Sequence, residues 1–316
     1  MRRIVLSEGE DQRVVAAAVK ARKFELIEPV LVGKPAVINE RLYRLGENPS
    51  NFEIVDPKDS PLLPKFAKDF STLRKNRVIS LEDALQEVQA PLNFAAMMVR
   101  TNNGDGTIGG AVETTSKTVS AALKIIGKAD NTRTVSSFFL MVLDKPHHER
   151  KGPLIFADAG LQIEPSAVQL SEIAQASVSS FKALVSEEPK VAMLSFSTSG
   201  SARHKRVRLV SEATNLARLL MPAIKIDGEL QFDAAFVPAV SQRKVEGSTV
   251  KGEANIMIFP NLDAANIGYK IAERLGGAIA IGPILQGLNK PANDLSRGCS
   301  IDDIFYLMAV TSLQVK

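Results

Sequence analysis

Ile4-Val5-Leu6-Ser7-Glu8-Gly9-Glu10-Asp11 and, farther on, Pro29-Val30-Leu31-Val32-Gly33 are the stretches from which the fold can be read. The first is an apolar run too short for a helix, followed by a polar turn; Glu10 and Asp11 then open a helix over 14–24. The second ends on glycine, and Pro35-Ala36-Val37-Ile38 starts another helix. Outward from this pair the unit repeats. Residues 52–55 read as a third strand, and 80–88 and 92–99 as helices, the first with Glu82 and Asp83 in its opening turn. Later strands fall at 135–142, 154–157, 191–194, 256–259 and 278–281. Short continuous apolar strands alternating with amphipathic helices predict an α/β fold with parallel sheets covered on both faces. The polar run 144–153 reads as a hairpin or inter-strand excursion. His147 and His148 within it read as surface residues, because no carboxylate cluster with metal spacing accompanies them.

Composition narrows the class without naming a function. A chain of 316 residues exceeds the usual size of one core, so two domains or lobes are expected. Lys and Arg number 39 against 35 Asp and Glu, and the resulting +4 is far from a nucleic-acid footprint, though it favours anionic metabolites. The single cysteine excludes an intramolecular disulfide and a thiolate metal site. Only Ile4-Val5-Leu6 follow Met1-Arg2-Arg3 before polar residues, so there is no signal-peptide core. The apolar run 275–285 is too short to span a bilayer. A cytoplasmic location, with no membrane partner, is expected.

The densest chemistry lies near the C-terminus, in Asn293-Asp294-Leu295-Ser296-Arg297-Gly298-Cys299-Ser300, with Asp302 and Asp303 beyond. Here a hydroxyl, a guanidinium, a flexible glycine and a carboxylate share one turn. Arg suits a phosphoryl group because its planar fork donates paired hydrogen bonds. A carboxylate cannot bind that same anion and is free to act as a base. Ser300-Ile301-Asp302-Asp303 equally fits a capping box before the apolar 304–308 run. The two readings are compatible, since a capped helix start is also a rigid mount for a catalytic acid. Cys299 has no His near it in sequence and reads as a buried packing residue.

These residues resemble phosphate acetyltransferases (phosphotransacetylases), of the phosphate acetyl/butyryltransferase superfamily. The resemblance rests on Gly282-Pro283-Ile284-Leu285-Gln286-Gly287, Lys290-Pro291 and the 293–300 turn, and on Val191 to Ser197 with Gly200-Ser201-Ala202. Ile226-Asp227-Gly228-Glu229-Leu230-Gln231, Phe259-Pro260-Asn261-Leu262, Asn266-Ile267-Gly268-Tyr269-Lys270 and the opening 4–11 stretch also match, so it covers essentially the whole chain. It implies two α/β/α lobes with mainly parallel sheets, of the isocitrate/isopropylmalate dehydrogenase-like fold. The first lobe would take 1–134 and 288–316 and the second 135–287, with the active site in the interlobe cleft. It further implies a homodimer, no catalytic metal and no cofactor, coenzyme A being a substrate alongside acetyl phosphate and phosphate. The implied chemistry is reversible acetyl transfer between acetyl phosphate and coenzyme A without an acyl-enzyme. Asp303 matches the family's base, Arg297 its phosphate-binding arginine, and Ser296 a hydrogen-bond donor to the substrate's carbonyl or phosphoryl oxygen. Ser116, Tyr269 and Lys270 match positions lining the phosphate pocket, and Arg74 an arginine associated with the coenzyme A phosphates.

Other features have two readings. The loop 195–201 reads as an anion cradle or as a helix N-cap with small residues. Arg203, His204, Lys205, Arg206 and Arg208 read as a solvated face sooner than a polyphosphate guide. Asp227, Glu229 and Asp233 read as structural or cleft-lining. The chain also departs from the family pattern. Ser120 stands where the family has an arginine, with Lys117 one helical turn before it, and Lys251-Gly252-Glu253-Ala254-Asn255 replaces the family's Ala-Gly-Lys-Ala-Asn. Together with Asn261-Leu262-Asp263-Ala264-Ala265-Asn266, the latter is similar to the acetyltransferase-like tail domain of some malic enzymes. Three functions therefore stand: a phosphate acetyltransferase, a phosphate butyryltransferase-type enzyme, and a non-catalytic acetyl-CoA-sensing module. A nicotinamide dehydrogenase is disfavoured, because no G-x-G-x-x-G follows a strand.

Overall fold

The computed structural model describes residues 1–73, 79–130 and 132–315. The chain divides into two compact units, Met1–Asn131 with Leu288–Lys316, and Thr132–Gly287. The first unit begins with β1 (Arg3–Leu6), α1 (Gln12–Lys23), β2 (Glu28–Val32), α2 (Pro35–Arg44), β3 (Glu53–Val55) and α3 (Leu63–Leu73). It continues through α4 (Leu81–Gln89), α5 (Pro91–Arg100), β4 (Gly106–Gly109) and α6 (Thr115–Ala121), which runs into a π-helical turn over Ala122–Ile126. The second unit comprises β5 (Ser136–Leu143), β6 (Gly152–Ala157), α7 (Ala167–Leu184), β7 (Lys190–Leu194), α8 (Lys205–Leu220) and β8 (Lys225–Leu230). It then adds α9 (Phe232–Phe236), α10 (Pro238–Lys244), β9 (Ile256–Ile258), α11 (Leu262–Arg274) and β10 (Ile279–Gln286). The chain returns to the first unit for β11 (Ala292–Asp294) and α12 (Ile301–Gln314).

The first sheet has the order β11-β4-β1-β2-β3 and every neighbouring pair is parallel. Its central strand buries Ile4, Val5 and Leu6 almost completely, each worth about 1.5–3 kcal/mol relative to exposure. α1 and α12 pack on one face and α5 on the other, so a parallel sheet is shielded on both sides as the apolar strands predict. The chain winds outward from β1 through β2 to β3, then returns to lay β4 on the opposite side of β1. The carboxyl ends of β1 and β4 therefore flank the point where the winding reverses, which is where open α/β sheets bind ligands.

The second sheet has the order β10-β5-β6-β9-β7-β8. It departs from purely parallel pairing at one edge: β10 with β5 and β5 with β6 are antiparallel, the remaining pairs parallel. The reason is the short 144–151 link, too brief for a crossover helix, which makes β5 and β6 a hairpin. Its core joins Phe139, Met141, Leu154, Phe156, Met257 and Phe259, all from this unit. Three strands were not legible from apolar runs, namely β4, β8 and β11. β8 carries Asp227 and Glu229, and β11 reads Ala-Asn-Asp, so both are polar strands buried by pairing.

Candidate active site

The loops after β1, β4 and β11 meet at the carboxyl end of the first sheet. The Glu8 carboxylate binds them together by accepting from the backbone N–H groups of Ala111 (2.6 Å), Val112 (3.1 Å) and Glu113 (2.7 Å). Glu10 accepts from the N–H of Lys34 at 3.0 Å, where α2 begins. Asp11 is the N-cap of α1 and accepts from the Arg13 N–H at 2.8 Å. Burial acts to raise the Asp11 carboxyl, but hydrogen bonds and charge from Arg13 outweigh it and hold the group below the usual aspartate value. The acidic opening loop thus supplies anchors, each carboxylate satisfying amides that begin another segment.

β4 is glycine-rich because it is crowded. A Cβ on Gly109 would lie 2.4 Å from the Ser7 hydroxyl and 2.5 Å from a Leu92 methyl. Gly110 has a φ of +99° and would bring a Cβ to 2.2 Å from an Asp294 carboxylate oxygen. This close approach lets the Leu295 N–H donate to the Gly109 carbonyl at 2.7 Å, fixing the start of the turn that follows β11.

That turn exposes Ser296, Arg297 and Gly298 and buries Cys299. The Cys299 N–H donates to the Ser296 carbonyl at 2.9 Å, and the Gly298 N–H to the Ser296 hydroxyl at 3.3 Å. Burial pushes the Cys299 thiol up to about 11, which suits a packing residue and not a nucleophile. Ser300 and Asp303 form a complete capping box: the Ser300 N–H donates to Asp303 Oδ2 at 2.8 Å, and the Asp303 N–H to Ser300 Oγ at 3.2 Å. The neighbouring acids separate by role, since Asp302 instead pairs with Lys20 Nζ at 2.7 Å. Asp303, half-buried, gives one carboxylate oxygen to the box, and Arg297 and Ser296 lie six and seven residues before it in the chain. Cation and hydroxyl donors that come together with a carboxylate can bind an anion and accept a proton.

Two residues of this site escape a reading of local pattern. Arg13 looks like an ordinary helix-start cation, yet its guanidinium reaches the turn 284 positions away, donating to the Arg297 carbonyl at 2.8 Å. Asp294 looks like a turn residue but is fully buried. Burial drives its pKa up to about 6, Thr115 and Thr118 drawing it back part of the way and Glu8 adding to the rise. No local pattern in the sequence marks either residue for its role.

A cavity of about 920 Å³ opens beside these loops within the first unit. Ser116, Lys117, Ser120 and Lys124 of the α6 region line one side, with Glu8, Asp11 and Asn93 among the residues opposite. Lys117, one turn before Ser120, is engaged with Glu113 at 2.8 Å. Arg74 lies outside the described residues. Tyr269 and Lys270 belong to α11 of the second unit, where Tyr269 stacks on Phe139 with centroids 3.9 Å apart. Lys270 Nζ donates to Asn266 Oδ1 at 2.8 Å. Burial, with Glu273 nearby, raises the Tyr269 phenol.

In the second unit the 195–201 loop is not an open cradle. Glu229 already fills it, accepting from Ser197 Oγ at 2.9 Å and the Gly200 N–H at 2.8 Å, and from Ser211 Oγ on α8 at 2.5 Å. Asp227 likewise accepts from Ser248, Thr249 and the Val250 N–H. Both acids anchor loops. Arg203, His204, Lys205, Arg206 and Arg208 are exposed, as a solvated face requires. Among the described residues no group of three or more His, Cys, Asp or Glu is arranged to hold a metal.

Comparison with known proteins bears on this geometry. The profile of the family described as phosphate acetyl/butaryl transferase matches residues 1–312. The chain is similar to a phosphate acetyltransferase of Paracoccus denitrificans, 47% identical over 315 residues, covering 100% of this chain and 95% of that protein. It is also similar to the crystal structure of a phosphotransacetylase from Streptococcus pyogenes, at 41% identity and a TM-score of 0.93, covering 99% of this chain and 94% of that one. A 4-hydroxythreonine-4-phosphate dehydrogenase from Klebsiella pneumoniae shares the fold alone, at 9% identity and a TM-score of 0.56 over 100% of this chain and 99% of that one.

Proposed function

We propose that this chain, which belongs to the phosphate acetyl/butaryl transferase family, is a phosphate acetyltransferase that moves an acetyl group between acetyl phosphate and coenzyme A. The observation that supports the residue roles is that Ser296 and Arg297 are exposed in the turn that leads directly into the capping box of Ser300 and Asp303. A thiol with an ordinary pKa of about 8.5 is mostly protonated at neutral pH, so a positioned base is needed. Asp303 takes the thiol proton. The sulfur attacks the acetyl carbonyl carbon, the carbon–oxygen bond to the phosphoryl group breaks, and phosphate leaves with the bonding electrons. Arg297 binds the phosphoryl oxygens and offsets the charge that develops on them, while Ser296 donates to the carbonyl or phosphoryl oxygen.

The cavity lined by Ser116 and Ser120 is assigned to coenzyme A, and Ser116 to a substrate contact. Tyr269, Lys270 and Arg74 are assigned substrate contacts on family resemblance. The chain is further proposed to act in the cytoplasm as a homodimer, with no membrane or nucleic-acid partner and with coenzyme A as substrate, not as a bound cofactor. No helix among the described residues is long and apolar enough to cross a membrane. Ile267, Ile271 and Leu275, at 58%, 53% and 84% exposure and four residues apart, form one apolar stripe suited to a second copy. Light scattering at twice the chain mass is expected; a monomer at micromolar concentration overturns that assignment.

The experiment is thioester formation from acetyl phosphate and coenzyme A, comparing wild type with Arg297→Ala. Turnover that is lost in the folded variant supports the transferase and its phosphate site. An inactive wild type that still binds acetyl-CoA sinks the enzyme reading in favour of a sensing module.

A further inference from the structure

We propose that Arg13 is a positioning residue for the transfer reaction, one that holds the Ser296–Arg297 turn and the start of α12 in register without touching substrate. This rests on the assignment of that turn to catalysis. A guanidinium has five N–H donors, and geometry accounts for all of them. Nε donates to Asp11 Oδ1 at 3.1 Å, and Nη2 to Asp11 Oδ2 at 3.0 Å and to the Ala111 carbonyl at 2.8 Å. Nη1 donates to the carbonyls of Arg297 at 2.8 Å and Cys299 at 3.1 Å. With its donors filled by protein oxygens, Arg13 has none left over for a phosphate.

The acceptors explain what the residue does. Asp11 caps α1, Ala111 follows β4, and Arg297 and Cys299 bracket Gly298 in the turn after β11. Glycine leaves that turn free to take many conformations, and the bracketing carbonyls are what a clamp must grip to choose one. The Cys299 carbonyl also immediately precedes Ser300, the cap of α12, so the same grip sets where Asp303 stands. Asp11 holds the guanidinium plane through a bidentate pair, which fixes the direction of the remaining donors. A lysine cannot replace it, because a single ammonium on a flexible stem has three donors and no planar fork.

The test uses Arg13→Lys and Arg13→Gln in the full chain, with kinetics per folded molecule and hydrogen exchange at the amides of 298–303. Displacement by about 1 Å costs on the order of a hundredfold in rate, so kcat falls by that order while KM for coenzyme A and for acetyl phosphate stays within a few fold. Exchange at 298–303 quickens in both variants, and added guanidinium partly restores kcat in Arg13→Gln. A rise confined to KM for either substrate overturns the proposal, since it would make Arg13 a substrate ligand. Unchanged exchange at 298–303 overturns it too, and that readout does not depend on activity. A wild type inactive with acetyl and butyryl phosphates would remove the proposed function instead, leaving the clamp to be judged by exchange alone.

Discussion

Asp303 belongs to the cap of α12, and substitution can separate that from the base role proposed for it. Its Oδ2 completes a capping box with Ser300, a role that Asn can fill with its carbonyl oxygen. A base it cannot replace. Asp303→Asn is expected to lower kcat by about 10²–10⁴ while costing no more than about 1 kcal/mol of stability. Activity lost only in proportion to unfolding would reduce Asp303 to a cap. Asp294 makes the opposite kind of prediction. Its folded pKa, about 6, stands above the unfolded aspartate value of about 3.9, so the folded state binds more proton between them. The contribution is therefore fully present below the unfolded value and lost as pH rises through about 6. The difference corresponds to about 3 kcal/mol, so Asp294→Asn should gain stability on wild type across that window. Thermal midpoints of the two proteins at matched pH values check this; parallel curves would refute it. Ser296, Arg297 and Asp303 can be proposed together from the sequence because they are neighbours in the chain. Arg13 and Asp294 were not, because hydrogen bonding and burial define them, and neither leaves a local pattern.

At the scale of elements, the sequence rules worked where burial was apolar and failed where it was polar. β1, β2 and β7 are continuous apolar runs and read plainly as strands. β11 does not, since Asn293 is buried by donating to Thr311 Oγ1 at 2.8 Å and Asp294 by packing against β4. Glycine in β4 reads as weak strand until the Gly110–Asp294 approach is seen. Gly110→Ala should cost about 1–3 kcal/mol and depress activity together, because the added methyl must push the β11 turn away. A stable, fully active variant would show that the turn tolerates displacement. On α6, Ser120 lines the cavity where the family pattern has an arginine, and Lys117 is drawn to Glu113. Ser120→Arg is therefore expected to lower KM for coenzyme A about tenfold, the equivalent of ~1.4 kcal/mol, with kcat little changed. An unaltered KM would move the coenzyme elsewhere.

For the whole molecule, the decisive fact is that one unit is continuous and the other is assembled from both ends of the chain. The second unit has its own sheet and core, so a fragment of residues 132–287 is expected to fold alone, unfold cooperatively and show no transferase activity. A fragment that stays unfolded in circular dichroism would mean that this core needs the other unit. By itself the sequence determined the α/β class, the apolar strands, the helix starts and the local grouping of Ser296, Arg297 and Asp303. Those are properties of neighbouring residues, fixed by period, capping and charge within one or two turns. Only the tertiary structure decided which acids became internal anchors, that a polar Ala-Asn-Asp stretch is a buried strand, and that Arg13 grips a turn 284 positions away. Such roles depend on which oxygens the fold brings within hydrogen-bond reach, and a chain does not encode that distance between any two neighbours.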